Sequence, residues 1–549
     1  MAIEKNEQMF PKLGETEIAR LRPFGQERLT EAGEIVFKPG DTNVNLYVVL
    51  EGDIEIRSAS GKTDDVVVLH EPGEFSGEVN MLSGRPSLVI GLTTQPSRLL
   101  EIDSANVRRI VQTDSAISEI LLRAYMLRHA ELVARGWGDL LMVGSNYSAD
   151  TLRLKGFLSR NGYPYRYLDV DRDTSGQELL DQFGVKPNEI PVLICRARNV
   201  LRNPSNMEAA ACLGMNVEVD EASVYDVVVV GAGPSGLAAA VYAASEGLNV
   251  LVLENSAPGG QAGCSSKIEN YLGFPTGISG QDLADRALVQ AQKFGAQVTV
   301  ARGAVALKCT AQPFVVQLDE GATVQGRSVI IATGAAYRRL PLENLSRFEG
   351  VGIYYGATNV EAQLCQGEEV VIVGGGNSAG QAAVFLSERV RHVHLLVRGP
   401  SLSDTMSRYL IRRIEDSPAI TLRPFTEITA IEGNGRLQQV CWRDAKTNQT
   451  ESHAIQHVFL MTGATPNTAW LDGCVALDGK QFVKTGPDLT AEDLAAAQWP
   501  VKRSPLLLET SLPRVFAVGD VRSGNVKRVA SAVGEGSIAV QLLHRVLAE

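Results

Sequence analysis

No Cys-x-x-Cys occurs anywhere in the 549 residues. The seven cysteines are Cys195, Cys212, Cys264, Cys309, Cys365, Cys441 and Cys474, and the closest two are 17 positions apart. That scatter excludes a local redox dithiol and a paired zinc ligand, so no metal site is expected. There is no basic run, and the formal net charge is −11. Nucleic acid and anionic membrane are therefore not the expected partners. No apolar stretch is long enough to span a bilayer. The start, Met1-Ala-Ile-Glu-Lys-Asn-Glu-Gln8, lacks the basic and apolar parts of a secretory leader, which gives a cytoplasmic expectation. What is present is 44% apolar and 21% charged, a composition able to build real cores. The length suggests about three to five domains.

The chain is organised around residues 225–254. An apolar strand, Val227 to Val230, runs into Gly231, Gly233-Pro234-Ser235 and Gly236. Gly231 allows a tight turn, Gly233 lets a pyrophosphate touch backbone, and Gly236 lets the following helix pack on the strand. The helix N-terminus then offers its partial positive charge to phosphate. Glu254 ends the next strand, where a carboxylate accepts from ribose hydroxyls. A second fingerprint follows a strand at Val370–Val373, with Gly374, Gly376, Asn377, Ser378 and Ala379. Its next strand ends in Arg398 rather than an acid. Two fingerprints imply two dinucleotides, and an arginine there favours a 2′-phosphate, hence NADPH over NADH.

Upstream, from Glu34 to Asp103, short β-like runs alternate with turn signals at Gly40, Gly52, Gly61 and Gly73. They read as a small antiparallel roll. A helix is expected from about Ser115 to Ala134, with Ile117, Ile120, Leu121 and Tyr125 on one face. Lys38-Pro-Gly-Asp41, Leu50-Glu-Gly52 and Phe75-Ser-Gly-Glu-Val-Asn-Met-Leu-Ser-Gly-Arg-Pro-Ser87 carry a resemblance to the cyclic-nucleotide-binding domains. That resemblance implies that Gly77 and Glu78 hold ribose and cyclic phosphate. It also implies an arginine after Pro86, but Ser87 stands there and Arg85 lies two positions early. A hydroxyl does not replace a bidentate guanidinium. The site reads as degenerate, and cyclic nucleotide binding as weak or lost.

Between 137 and 214 the pattern is strand (Leu140–Val143), helix (Ala149–Arg160), strand (Tyr165–Val170), helix from about Gln177, and strand Val192–Cys195 after Ile190-Pro191. This resembles a glutaredoxin or thioredoxin fold, in which the proline is cis and faces a dithiol. The dithiol place is Ser145-Asn-Tyr-Ser148, without sulfur. Cys195 reads as a buried strand cysteine. Residues 214–224 read as a linker.

Residues 225–549 resemble the low-molecular-weight bacterial thioredoxin reductases. The carrying motifs are Gly259-Gly260-Gln261, Ile268-Glu-Asn270 through Pro275, Ala332-Thr333-Gly334, Thr462-Gly-Ala-Thr-Pro-Asn467, Gly519-Asp520 and Lys527-Arg528-Val529-Ala530. The resemblance implies FAD, held by Gly231, Gly233, Gly236, Glu254, Gln261, Asn270 and Asp520. The backbone at Arg528, Val529 and Ala530 would face the flavin pyrimidine edge. In that family a Cys-Ala-Thr-Cys turn precedes the second fingerprint. Here the turn reads Gly356-Ala-Thr-Asn359. Disulfide exchange needs sulfur, so the usual route to thioredoxin is closed. Cys264 and Cys365 remain as candidate redox thiols.

The expected architecture is multidomain α/β and α+β. It comprises a β-roll with helices (10–136), a thioredoxin-like domain without dithiol (137–214), a split FAD-binding domain (225–338 and 462–549) and an inserted NADPH-binding domain (339–461). The expected function is an FAD-dependent NADPH oxidoreductase, acting as a homodimer on a small acceptor or redox protein. The alternative is a regulatory protein that senses flavin or nucleotide without steady turnover.

Overall fold

The computed structural model describes residues 6–58, 66–77, 80–138, 140–173, 176, 180–181, 184–186, 189–195, 199–216, 219–265, 267–310, 312–319, 321–357 and 359–549. Residues 177–179, where the sequence pattern starts a helix, lie outside these.

The N-terminal roll is two antiparallel sheets. One joins Gln26–Thr30, Ser97–Ile102 and Leu46–Glu51, and the other Ile35–Phe37, Val89–Leu92, Ile54–Ser58 and Val66–His70. Alternation explains the packing: Ile54, Ile56 and Ser58 point inward while Glu55 and Arg57 do not. The helix Ser115–Arg135 starts where Asp114 accepts from the Ile117 N–H and stops at Gly136 in the left-handed region. Ile117, Leu121 and Tyr125 are buried against the roll, and Ile120 is half-buried.

The middle region forms one four-stranded sheet, in the order Asn199–Arg202, Val192–Cys195, Leu140–Gly144, Arg166–Asp169. The last two pair in parallel, and the other contacts are antiparallel. The Ile190–Pro191 bond is cis. Cys195 is fully buried.

Two parallel sheets follow. The first has the order Gln297–Thr299, Val250–Leu253, Val227–Val230, Val329–Ile331, Val515–Ala517. Val227–Val230 is buried on both faces, as a central parallel strand must be. The second has the order Ile353–Tyr354, His457–Leu460, Glu369–Val373, His392–Leu396, Ile420–Arg423. On the two crossing segments, Ala335–Tyr337 pairs with Ala464–Pro466, antiparallel. A disulfide joins Cys309, after the strand Ala304–Lys308, to Cys474 on the returning segment, 165 residues later. Sequence spacing did not announce that pairing.

The helix Gly280–Lys293 ties these parts together. It packs on the roll's short helix Asn80–Ser83, and Val289 joins the roll's apolar cluster. Gln112 of the roll donates to the Lys293 carbonyl at 3.0 Å. Gln281 donates to the Arg160 carbonyl of the middle region at 3.0 Å. No helix among the described residues is long and apolar enough to cross a membrane.

Candidate functional site

The first fingerprint lies at the carboxyl ends of the central strands. Gly231 has φ +106°, and a Cβ there would collide with the Ala332 carbonyl. A Cβ on Gly236 would collide with the Gly231 carbonyl, so the helix Pro234–Ser245 sits directly on the turn. Gly233 faces open space and caps that helix without a side-chain bond. Proline at the first helical position loses no hydrogen bond there. These features make a backbone cradle with unspent N–H groups, which fits a pyrophosphate. Glu254 is 7% exposed and accepts from the Ala232 and Ser256 N–H groups, each at 2.9 Å. Burial raises its pKa, and the two N–H bonds oppose that shift. A carboxylate has lone pairs left for ribose hydroxyls.

The other residues expected around FAD converge unevenly. Gly260 approaches Gly233, Gln261 donates to the Ala335 carbonyl, and Gly519 packs on Ser235. Thr333 donates to the Asn467 carbonyl at 2.8 Å, and Asn467 donates back to the Thr333 carbonyl at 2.8 Å. That reciprocal latch holds Ala332-Thr333-Gly334 against the returning strand. Asp520 is partly buried, and burial raises its pKa. Arg528 caps the helix Val529–Leu547, so Val529 and Ala530 form its first turn. That helix lies along Pro234–Ser245, with Gly536 against the Ser235 carbonyl. Asn270 stands exposed on the neighbouring loop.

The inserted domain touches the first fingerprint's domain at two places. A Cβ built on Gly356 lies 3.6 Å from the Cβ of Cys264. Arg413 of the inserted sheet's helix Arg408–Glu415 pairs with Glu269 at 3.0 Å. Thr358 and the Asn359 side chain lie outside the described residues. Burial pushes the Cys264 thiol up. Cys365 is fully buried, its thiol is pushed up to about 12 by burial, and its sulfur lies 3.1 Å from the Glu361 carbonyl. A neutral, enclosed thiol is a poor nucleophile. Sequence reading missed Arg160, which donates to the Gly260 carbonyl at 3.2 Å and acts through space on Glu254 and Cys264. It comes from the middle region, and no motif marked it.

The second fingerprint repeats the first. Gly374 has φ +146°, and a Cβ there would collide with the Met461 carbonyl. Gly376 precedes the helix Asn377–Ser387, in which Ala379 is buried and Ser378 is exposed. The Asn377 side chain accepts from the Ser407 N–H at 2.7 Å. Arg398 is exposed and, among the described residues, holds no ion pair.

In the roll, Glu78 lies outside the described residues. Gly77 has φ +113°, and its carbonyl accepts from Arg128 at 3.1 Å. The Ser87 hydroxyl is spent on the Val89 carbonyl at 3.0 Å. Arg85 turns its Nε to the Met215 carbonyl at 3.1 Å and feels Tyr163 and Asp285 from the neighbouring domains. It holds domains together as well as lining the roll's cavity of about 60 Å³.

Residues 225–536 match the family Pyridine nucleotide-disulphide oxidoreductase, and residues 27–114 match Cyclic nucleotide-binding domain. A thioredoxin reductase of Mycolicibacterium smegmatis is 34% identical over 60% of this chain and 98% of its own. The NADPH-dependent thioredoxin reductase 3 of Arabidopsis thaliana is 32% identical over 63% of this chain, which spans 65% of the plant protein. The solved thioredoxin reductase of T. acidophilum, 30% identical, covers 59% of this chain and 99% of its own with a TM-score of 0.52.

Proposed function

Starting from a chain that belongs to the pyridine nucleotide-disulphide oxidoreductase family, as a thioredoxin reductase-like enzyme, we propose an FAD-dependent NADPH oxidoreductase whose electrons leave without a dithiol in the usual turn. When bound, the two cofactors supply hydride transfer from nicotinamide to flavin. The chain supplies position and charge. Gly231, Gly233 and Gly236 hold one pyrophosphate against backbone, and Glu254 takes the ribose hydroxyls. Asp520 takes the ribityl chain, and the first turn at Val529 and Ala530 presents N–H groups to the pyrimidine edge. Gly374, Gly376 and Ala379 cradle the second pyrophosphate, and Arg398 meets the 2′-phosphate.

The observation that carries the reading is Gly356 beside Cys264. The turn that faces the first sheet's loop carries hydrogen where the family carries sulfur. The Ala335–Tyr337 and Ala464–Pro466 pair joins the inserted sheet to the first, and in this reading it is the pivot on which the inserted sheet swings to bring the second fingerprint to the flavin. We read the middle region as thioredoxin-like, by its strand order and cis Pro191, with Ser145–Ser148 at the dithiol place. There Ser145 donates to Asp171 at 2.6 Å and Asn146 to Asp169 at 2.7 Å, so polar bonds replace disulfide chemistry.

The test is NADPH oxidation with alternative acceptors. A quinone or oxygen should sustain turnover, while insulin reduction through added thioredoxin should stay far below the family's rate. Efficient insulin reduction that survives Cys264→Ser and Cys365→Ser would overturn the dithiol-free route. A single slow reduction with no acceptor sustaining turnover would favour the regulatory reading.

A further inference from the structure

A cleft of about 900 Å³ lies between the middle region and the inserted sheet, away from both fingerprints. Its size falls in the range of small-molecule sites, roughly 300–1,000 Å³. Tyr147, Lys155 and Arg166 line it from one side, and Tyr354, Arg436 and His457 from the other. The two sides touch. Arg436 stands over the Tyr147 ring at 5.4 Å, and a Cβ on Gly350 lies 3.5 Å from Ala149.

The charge in this cleft is unusual for a chain of net charge −11. Lys155, Arg166, Arg172 and Arg436 all line it, and none holds an ion pair among the described residues. Arg135 also lines it but is paired with Glu131, and Glu368 brings one carboxylate. Exposed cations are normally met by nearby acids or dispersed in solvent. Four cations along one open cleft, three of them without a nearby acid, favour an anion there. Lys155 is partly buried, donates to Asn146 at 3.0 Å and lies over the Tyr167 ring at 4.2 Å, so its position is fixed. Burial lowers its pKa, and the charge of Asp169, reached through Asn146, opposes that shift only in part. Tyr147 is 58% exposed even with Arg436 over its ring, which leaves ring surface open to a ligand.

We propose that this cleft binds a nucleoside polyphosphate, with the phosphates on Lys155, Arg166, Arg172 and Arg436 and the base stacked on Tyr147. Rings bind flat aromatic groups, and guanidinium groups bind phosphate with two parallel bonds. A cleft closed on two sides by separate domains favours a small ligand over a peptide. Its two walls come from separate regions of the chain, so a bound ligand favours the relative orientation seen here.

The test uses FAD-loaded full-length protein with saturating NADP⁺, which fills the second fingerprint. ATP is titrated by calorimetry. One site of micromolar affinity is expected, with adenosine and pyrophosphate each at least tenfold weaker. Arg166→Glu combined with Arg436→Glu should weaken ATP by a hundredfold or more. Arg166 is exposed and unpaired, so Arg166→Glu alone, expected to cost about tenfold, leaves the fold intact if the double variant does not. Arg398→Glu should leave ATP binding unchanged. The proposal is overturned if Arg166→Glu has no effect, if pyrophosphate binds as well as ATP, or if ATP binding is lost with Arg398→Glu instead.

Discussion

Gly231 and Gly374 hold the same place in two different sheets, and comparing their surroundings separates what is fixed from what is chosen. Each follows a buried parallel strand, each has positive φ, and each leaves no room for a Cβ against the carbonyl just past the strand on its other side, Ala332 or Met461. The turns differ at the end of the neighbouring strand. One ends in Glu254, buried and bonded to backbone, and the other in Arg398, exposed and without an ion pair among the described residues. In the proposed function, backbone geometry sets that a dinucleotide is bound, and one side chain sets which.

The largest expected effect breaks each turn separately. Alanine at either glycine meets a left-handed backbone, about 1–3 kcal/mol of strain before the collision is counted. Gly231→Ala should give colourless protein that FAD does not reload. Gly374→Ala should stay yellow, with NADPH no longer reducing the flavin. Visible spectra before and after NADPH decide this, and a colourless Gly374→Ala protein would show that the turns are not independent.

A second prediction locks the sheets together. The Gly356–Cys264 spacing of 3.6 Å between Cβ positions lies within the roughly 3.5–4.5 Å of disulfides. The Gly356→Cys variant should oxidise to a disulfide between the introduced thiol and Cys264, removing two thiols from a titration. Flavin reduction by NADPH should then slow at least tenfold and recover with dithiothreitol. Unchanged reduction in the cross-linked protein would mean that no swing is needed.

The smallest effect concerns the choice of coenzyme. Arg398→Glu removes a charged hydrogen bond worth roughly 1.5–3 kcal/mol and places an acid near the 2′-phosphate. The NADPH-over-NADH ratio should fall by about tenfold to a hundredfold in stopped-flow reduction. An unchanged ratio would move the reader of the 2′-phosphate away from this strand end.

These glycines were legible in the sequence because a steric requirement leaves one residue type possible. The roll and both parallel sheets were legible through alternation and buried valine runs, which local pattern carries. Contacts between distant segments were not. Cys309 and Cys474 are 165 residues apart, and nothing near either names the other. Arg160 enters the first fingerprint's surroundings from another domain. Arg85 read as a displaced phosphate ligand, yet its Nε faces Met215, because the neighbouring domain offers a buried carbonyl there. Cys264 and Gly356 came from separate motifs, and only the closure of one sheet on the other brings them together.

The helix Gly280–Lys293 touches two regions of the molecule through adjacent residues. Ala284 fills the space beside Gly259 and Gly263 on the fingerprint's loop, while Asp285 faces Arg85 on the roll. Burial pushes the Asp285 carboxyl up to about 6. A rigid rod of this kind has no preferred direction of influence. If occupancy of the roll shifts the flavin's affinity by some factor, flavin occupancy shifts the roll's affinity by that same factor, because the four states form a closed thermodynamic cycle. The roll is then as much an output of the redox module as an input to it, and loading the protein with FAD becomes a way to measure what the roll binds.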